Sequence, residues 1–253
     1  MLSKQEIKKI RSLDLKKFRK EYNLFLAEGE KQVEEISTVF PCQLLVATKD
    51  WLSRHPNIHA SETIEVTNEE LSRISLLKTP KDVLAVFEQP VYDVNSIVLS
   101  EQLAIAADGI QDPGNLGTIV RLADWFGIEH VICSTDTADI FNPKTVQATM
   151  GAVARVKVHY VSLPEYLSNL SNVPVYGTFL EGENIYTQEL SSSGIIVLGN
   201  EGQGIRPEVS KYITKRLYIP NYPQGRKTSE SLNVAGAGAV ICSEFRRRRI
   251  NVV

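Results

Sequence analysis

The sequence predicts an α/β protein whose main domain holds a largely parallel sheet with helices on both faces. From residue 103 onwards, short apolar strands alternate with amphipathic helices, and several strands run directly into glycine-rich loops. The first hundred residues show their own short helices and strands, which predicts a smaller α/β domain in front of that sheet. We therefore expect two domains, over residues 1–92 and 100–253, with a linker near Pro90–Asn95.

Each element is predicted from a local pattern. Ser3 to Glu6 has the spacing of a capping box, which starts a first helix, and a second, basic helix is predicted at Leu15–Tyr22. The other elements expected in the first domain are strands at Leu24–Ala27, Cys42–Thr48 and Val83–Phe87, a helix at Glu30–Ser37 and a further helix that starts within Thr67–Glu70. Those expected in the second are strands at Leu103–Ala107, Val131–Cys133, Val175–Phe179, Ile195–Leu198 and Leu217–Ile219 and helices at Leu116–Phe126, Phe141–Ala148 and Asn233–Arg247.

Composition excludes several classes of protein. Of the 253 residues, 43% are apolar and 23% charged, and no apolar run is long enough to cross a bilayer. The N-terminus has no apolar signal core behind its first charge, so we expect a cytoplasmic protein. Cys42, Cys133 and Cys242 are scattered, and the histidines have no ligand spacing, so we expect neither a disulfide framework nor a metal site.

Charge is distributed unevenly along the chain. The net charge of −2 gives no general attraction to nucleic acid, yet basic residues crowd the first two predicted helices, and Arg246–Arg249 lie at the end of the last one. Such clusters form either a surface that faces phosphates or a solvated helix face. The sequence leaves both interpretations open.

The first loop with candidate chemistry, Asp108–Gly117, follows a buried-type strand. Its glycines permit unusual backbone conformations, and Asn115 is a suitable N-cap for the next helix, which carries Arg121. A helix that begins here would attract an anion, and Arg121 would then meet a phosphate or an oxygen nucleophile. The alternative is a turn followed by an ordinary exposed arginine.

Two further loops follow strands later in the chain. Leu198–Ile205 has three glycines in six residues, but its spacing matches neither a dinucleotide fingerprint nor a P-loop, so it indicates only a ligand loop. The second of these segments extends from Ile219 to Ala239 and ends in a stretch of small residues. Ser231 or Asn233 can cap the predicted helix that ends the chain. No GxSxG context surrounds the serines, which argues against a hydrolase.

Taken in order, the segments DGIQDPGNLGTIVRLADWFGI, LGNEGQGI and IPN…SESLNVAGAGA resemble the three motifs of the SpoU (TrmH-like) RNA ribose 2′-O-methyltransferases. The intervening FNPK and TMGA segments also match, and the resemblance extends from Leu103 to Arg247. More loosely, the N-terminal segment is similar to the small RNA-binding domain of that family. Three ordered motifs are far more specific than any one of them.

This resemblance implies a trefoil-knotted α/β domain, S-adenosyl-L-methionine as cofactor, RNA as substrate and a homodimer formed through the knotted domain. It carries the family's catalytic positions onto Asn115, Arg121, Glu201, Ser231 and Asn233. It carries the cofactor-binding positions onto Thr178, Leu198, Gly199, Asn200, Gly202, Ile219, Pro220, Leu232 and Asn233. RNA contacts are expected from Lys16, Lys17, Arg19, Lys31 and Arg121, and ribosomal RNA is favoured over transfer RNA by family analogy.

The role of Arg121 needs a physical argument. The family is described with this arginine as the base that activates the hydroxyl, yet a guanidinium with a pKa above about 12 is a poor base. We therefore expect it to orient and polarise the ribose hydroxyl electrostatically. Two groups of residues depart from the family pattern: Asn221 and the long loop Tyr222–Thr228 predict a different RNA specificity with cofactor binding kept, and Gln147 and Thr149 put an RNA or dimer contact in doubt.

Two other functions compete with methyl transfer. A catalytically silent RNA-binding relative would keep the fold, although every matched polar position is present here. A nucleotide-dependent enzyme would need a phosphate-binding lysine or an acidic ribose clamp, and neither has the required spacing.

Overall fold

The computed structural model describes residues 2–223 and 226–248. The chain divides into two compact units, one of residues 1–91 with 139–155 and the other of residues 92–138 with 156–253. Its helices are α1 (Lys4–Ser12), α2 (Lys16–Tyr22), α3 (Glu30–Ser37), α4 (Lys49–Arg54), α5 (Asn68–Ile74), α6 (Pro113–Trp125), α7 (Pro143–Thr149), α8 (Leu163–Ser168), α9 (Pro207–Ser210) and α10 (Val234–Arg247). Its strands are β1 (Leu24–Glu28), β2 (Cys42–Ala47), β3 (Glu62–Glu65), β4 (Val83–Glu88), β5 (Leu103–Asp108), β6 (His130–Ser134), β7 (Lys157–Val161), β8 (Val175–Asn184), β9 (Gly194–Gly199) and β10 (Lys215–Tyr218).

The first unit is built on a four-stranded sheet in the order β1-β4-β2-β3. Strand β4 pairs antiparallel with both β1 and β2, whereas β3 pairs parallel with β2. The predicted capping box is confirmed, because Ser3 and Glu6 each bond the other's backbone, and Thr67 and Glu70 form a second one at α5. The predicted bounds of α3 are also confirmed.

Residues 139–155 pack within the first unit, although the sequence assigned them to the second predicted domain. The Phe141 ring lies 4.7 Å from that of Phe25, centroid to centroid, and Arg155 Nη1 donates to Glu35 Oε2 over 2.8 Å. Arg19 is only 1% exposed, and its Nη2 lies 2.7 Å from Asp139 Oδ2. The first unit is therefore completed by residues 139–155, which are separated in sequence from its other part, residues 1–91, by almost fifty residues.

The second unit contains a six-stranded sheet in the order β10-β8-β9-β5-β6-β7, in which every pair is parallel. The three strands β5, β6 and β9 and the start of β8 are buried, as expected for a parallel sheet covered on both faces. The predicted mainly parallel α/β fold is confirmed. The knot implied by the family resemblance stays a prediction.

Two predicted boundaries in the second unit are wrong for physical reasons. Helix α6 begins at Pro113, because Asp112 accepts a hydrogen bond from the Asn115 amide and acts as the N-cap. Asn115 is therefore inside the first turn, and its side chain is released from capping. Strand β8 continues to Asn184 because it pairs again with β10 after a shift in register. Within residues 2–223 and 226–248, no helix combines the length and apolar character that a membrane crossing needs.

Candidate functional site

The candidate site lies at the carboxyl ends of the central strands of the second unit. Asp108 at the end of β5 pairs with Gly199 at the end of β9, so the loops that follow these two strands start side by side. Strand β6 lies on the other side of β5, and its end supplies a third loop. Ligands of parallel sheets bind at this edge.

The loop after β9 is closed by a backbone hairpin between Asn200 and Gly204, which exchange hydrogen bonds of 3.0 and 2.8 Å. A Cβ atom on Gly199 would lie 2.3 Å from the carbonyl carbon of Gly204, so only glycine permits this closure. The Asn200 side chain accepts from the amides of Gly202 and Gln203. Its Nδ2 donates to the Gly109 carbonyl over 2.7 Å, which ties this loop to the one after β5.

An ion pair between the buried Asp108 and the partly exposed Arg206 also connects these loops. Asp108 is 0% exposed, and it accepts hydrogen bonds from Arg206 Nη2 at 2.5 Å, Nε at 2.8 Å and the backbone amide at 2.9 Å. Arg206 Nη1 also lies 3.3 Å from Asp136, in the loop after β6. The hydrogen bond to Asp108 raises the pKa of the Arg206 guanidinium. Sequence reasoning missed Arg206, because nothing in its local pattern indicates a partner 98 residues away.

Three predicted catalytic residues meet in one hydrogen-bonded chain. Asn115 Nδ2 donates to Glu201 Oε1 over 2.6 Å, and Asn233 Nδ2 donates to Asn115 Oδ1 over 3.0 Å. Asn233 Oδ1 in turn accepts from the amides of Ala235 and Gly236 and so caps α10. Both ends of the Asn115 amide are used, so its orientation is fixed by two other segments of the chain.

The other two predicted catalytic residues lie outside this cluster. Arg121 is six residues beyond Asn115 on α6, a rise of about 9 Å along the helix axis. It is exposed, and no hydrogen bond or ion pair joins it to the residues that the structure describes. Ser231 is exposed two residues before Asn233. The structure therefore joins three of the five predicted catalytic residues by hydrogen bonds and places Arg121 and Ser231 outside that cluster.

The predicted cofactor positions lie in β8, at or just after the end of β9, directly after β10 and directly before α10, and they differ in what they offer. Leu198 is buried, and its Cδ1 lies 3.2 Å from the place of a Cβ on Gly238, so its side chain packs against α10 and only its backbone is available. Thr178 donates to the Val197 carbonyl over 3.2 Å. Ile219 and Pro220 are half-buried and Leu232 is 55% exposed. Accessible apolar side chains, backbone groups and a carboxylate in these loops suit a ligand with a planar, weakly polar part and a charged part.

The predicted RNA-binding residues divide into exposed and buried ones. Lys16, Lys17 and Lys31 are exposed in the first unit. The prediction for Arg19 is wrong, because its guanidinium is buried against Asp139 and the carbonyls of Leu13 and Asp14.

The C-terminal arginines also serve the fold. Arg246 donates to the carbonyls of Phe126 and Gly127, at the end of α6, over 2.7 and 2.9 Å. Arg248 donates to Glu244 and to the carbonyls of residues 185, 186 and 188. A phosphate-facing role for these two is therefore contradicted, whereas Arg247 is exposed and pairs with Glu244, and Arg249 lies outside the described residues.

The positions that depart from the family pattern have mixed surroundings. Thr149 is fully buried and bonds the Val146 carbonyl, and the Gln147 carbonyl accepts from Gln32, so both belong to the packing of the first unit. Asn221 donates to the Arg226 carbonyl over 2.8 Å. Residues 224 and 225 of the long loop lie outside the described part of the chain.

One group of side chains has the composition of a metal site. Among the described residues, Glu30, Glu34 and His55 place their ligand atoms together, with His55 Nε2 2.7 Å from Glu34 and 3.8 Å from Glu30. Arg54 already pairs with Glu30 over 3.0 Å. The expectation of a metal-free protein stays a prediction.

Comparison with known proteins agrees with this geometry. The model of the SpoU rRNA Methylase family matches residues 102–243, and that of the MRM3-like substrate binding domain matches residues 4–85. The chain is 33% identical to the 23S rRNA (guanosine(2553)-2′-O)-methyltransferase RlmP of Bacillus subtilis, over 96% of each protein. Its fold is similar to a Porphyromonas gingivalis protein assigned to the TrmH family of RNA methyltransferases, with 44% identity, coverage of 98% and 99%, and a TM-score of 0.89. It is also similar to an AdoMet-bound rRNA methyltransferase from Sinorhizobium meliloti, with 29% identity, coverage of 99% and 97%, and a TM-score of 0.87.

Proposed function

The chain belongs to the SpoU rRNA methylase family, and on that premise we propose that it transfers a methyl group from S-adenosyl-L-methionine to a ribose 2′-hydroxyl of ribosomal RNA. The observation that carries this function is the chain of hydrogen bonds from Glu201 through Asn115 to Asn233. It joins the three motif segments at the sheet edge where ligands of parallel sheets bind. All three polar residues of this cluster are present, so nothing here favours the alternative of a catalytically inactive relative.

The cofactor, when bound, supplies an electrophilic methyl group. The residues that would hold it are the glycine hairpin at Gly199, Asn200 and Gly202 and the apolar side chains of Ile219 and Leu232, with Leu198, Pro220 and Thr178 lining the same edge. The fit rests on two features of the chain. Gly199 admits no side chain at the strand end, and Leu232 presents an exposed apolar surface directly before the polar Asn233.

Asn115 and Glu201 would position the ribose. Because both ends of the Asn115 amide are engaged, Glu201 is held in one place by its Oε1 atom. No hydrogen bond from residues 2–223 and 226–248 engages its other carboxylate oxygen, which can therefore accept the hydrogen of a ribose hydroxyl and so direct the oxygen lone pair. Asn233 and the neighbouring Ser231 complete this polar rim.

Arg121 would act as an electrostatic stabiliser. As the ribose hydroxyl passes its proton to the Glu201 carboxylate, negative charge develops on the ribose oxygen, and a cation nearby lowers the energy of that state. A guanidinium stays protonated at neutral pH and therefore cannot serve as the base. Arg121→Lys is expected to keep cofactor binding and lose most turnover, because an ammonium lacks the planar fork of donors.

We further propose that the protein is a cytoplasmic homodimer. Trp125 is 83% exposed one turn beyond Arg121 on the same face of α6, an unusual degree of exposure for so large an apolar side chain. Pairing of two chains through this face would bury Trp125 and place Arg121 in the interface. The first unit would bind RNA through Lys16, Lys17 and Lys31, which remain exposed.

Titration calorimetry with S-adenosyl-L-methionine tests the cofactor, and transfer of labelled methyl groups to ribosomal RNA from a strain lacking the gene tests the reaction. The full-length chain is expected to bind the cofactor and label the RNA. Glu201→Gln keeps the hydrogen bond to Asn115 but weakens acceptance of the ribose proton, so it should bind cofactor and label RNA slowly. Absence of cofactor binding by the unmodified chain would refute the proposed function.

A further inference from the structure

One side of α2 presents an apolar stripe to solvent. Leu15, Phe18 and Tyr22 are three and four residues apart, which places them on the same side of the helix. Leu15 is 57% exposed, Tyr22 is 38% exposed and Phe18 is half-buried. The Phe18 and Tyr22 rings are nearly parallel, with an interplanar angle of 21° and centroids 5.9 Å apart. Together they form a small aromatic surface that faces outwards.

Lysines border this surface. Lys9 Nζ lies 5.7 Å from the centroid of the Tyr22 ring, and Lys17 Nζ lies 5.7 Å from that of Phe18. Residues 4–22 carry eight basic and three acidic side chains, a net charge of +5 in a chain whose total is −2. Arg19 is neutralised internally by Asp139, yet the surface stays positive without it.

We propose that this aromatic–basic surface, formed by Leu15, Phe18, Tyr22, Lys9 and Lys17, stacks an unpaired base of the substrate RNA while its lysines meet the adjacent phosphates. The inference rests on the proposed function and names the class of RNA that the first unit selects. A duplex hides the faces of its bases, whereas a loop or single strand exposes them. Stacking on aromatic rings combined with basic groups is how proteins hold unpaired nucleotides without reading their sequence.

The combination of aromatic rings and lysines on this surface indicates that its ligand is a nucleotide. Lysines alone would suit any polyanion, and an apolar stripe alone would suit any apolar partner. Aromatic rings with ammonium groups directly beside them match a nucleotide, which joins a planar base to a phosphate. A base on Tyr22 displaces Lys9 from the ring, and the phosphate of that nucleotide receives the ammonium group.

The test measures fluorescence anisotropy of a labelled short oligouridine and of an RNA duplex of equal length, with the full-length chain. Tyr22→Leu is expected to weaken oligouridine binding by about 5- to 100-fold and duplex binding by less than about twofold. Tyr22→Phe keeps the ring and should retain the affinity. Lys9→Gln should weaken both RNAs and reduce the salt dependence for the single strand by about 0.7 in the logarithmic slope.

Matched controls lie elsewhere in the same unit. Val39 is 52% exposed and Lys49 is exposed, and both belong to other segments, so Val39→Ala and Lys49→Gln should change neither affinity. Equal loss of both RNAs in Tyr22→Leu, or no loss of either, would overturn the inference. Tyr22-dependent binding to phosphatidylglycerol vesicles in place of oligouridine would overturn it in favour of a membrane partner.

The two proposals can fail separately. If the unmodified chain methylates ribosomal RNA and Tyr22→Leu leaves its KM for that RNA unchanged, only the stacking surface is refuted. If the unmodified chain transfers no methyl group, the proposed function is refuted, whatever the oligouridine affinities are.

Discussion

Replacing Asp139 with alanine removes the carboxylate that neutralises a buried arginine. The Arg19 side chain is 2% exposed, and its Nε and Nη2 both donate to Asp139 Oδ2, over 3.2 and 2.7 Å. Removing one partner of a buried ion pair costs about 3–5 kcal/mol, because the remaining charge is left without compensation. Here Arg19 keeps the carbonyls of Leu13 and Asp14, and Asp139 is 16% exposed, so water reaches one side of the pair. We therefore expect Asp139→Ala to lower the free energy of unfolding by about 2–4 kcal/mol.

Urea unfolding followed by tryptophan fluorescence measures this loss. Trp51 is fully buried in the first unit, and the measurement is made in a Trp125→Phe background, so that Trp51 is the one remaining tryptophan. Arg54→Ala is the matched control, since the Arg54–Glu30 pair has a similar distance of 3.0 Å but side chains 52% and 46% exposed. It should cost less than about 1 kcal/mol.

A double variant separates lost charge compensation from lost packing. Arg19→Met with Asp139→Leu removes both charges, so it should be more stable than Asp139→Ala alone. If Asp139→Ala and Arg54→Ala lower the unfolding free energy equally, Arg19 is not held as a buried charge and the reasoning is refuted.

Three further changes test other parts of the structure. Gly199→Ala forces a Cβ to within 2.3 Å of the Gly204 carbonyl carbon, so cofactor affinity measured by calorimetry should fall, whereas Gly236→Ala, where no atom lies within 4 Å, should retain it; equal affinities would contradict the hairpin argument. Arg206→Met leaves the fully buried Asp108 without its cation and, because Arg206 itself is 29% exposed, should cost about 2–4 kcal/mol in urea unfolding; an unchanged midpoint would show that the pair does not stabilise the loops. Burial lowers the pKa of His159 to about 4 and also lowers that of His130, and both rings are therefore neutral in the folded state at pH 7. The histidines of the unfolded chain bind protons below about pH 6.5, whereas His159 of the folded chain does so only near pH 4. The free energy of unfolding should therefore be highest above about pH 6.5 and fall as the pH drops towards 4, by up to about 3 kcal/mol for His159. A His159→Gln variant with the same pH dependence as the unmodified chain would contradict this origin.

Local sequence patterns predicted the elements that are stabilised by residues close together in the sequence. The capping box at Ser3, the bounds of α3 and the buried strand β5 follow from residues within a few positions of one another. The order of the three motif segments also predicted their meeting, because parallel strands end at one sheet edge and their loops converge there.

Local patterns did not predict interactions between residues that lie far apart in the sequence. Arg19 stands among lysines on a basic helix and looks like another phosphate contact, but its partner is 120 residues away. Arg206 follows a glycine loop with no pattern of its own, yet it joins the ends of two strands. Asn115 was expected to cap α6, but Asp112 three residues earlier competes successfully for that position and frees the asparagine for Glu201.

The chemical position of the transferred methyl group tests the central claim most directly. Ribosomal RNA labelled by the unmodified chain from methyl-labelled S-adenosyl-L-methionine is hydrolysed in alkali, and the products are separated by size. A methylated 2′-oxygen cannot attack the neighbouring phosphodiester, so the label should appear in alkali-resistant dinucleotides. Label in mononucleotides would place the methyl group on a base and contradict the role given to Glu201, Asn115 and Asn233.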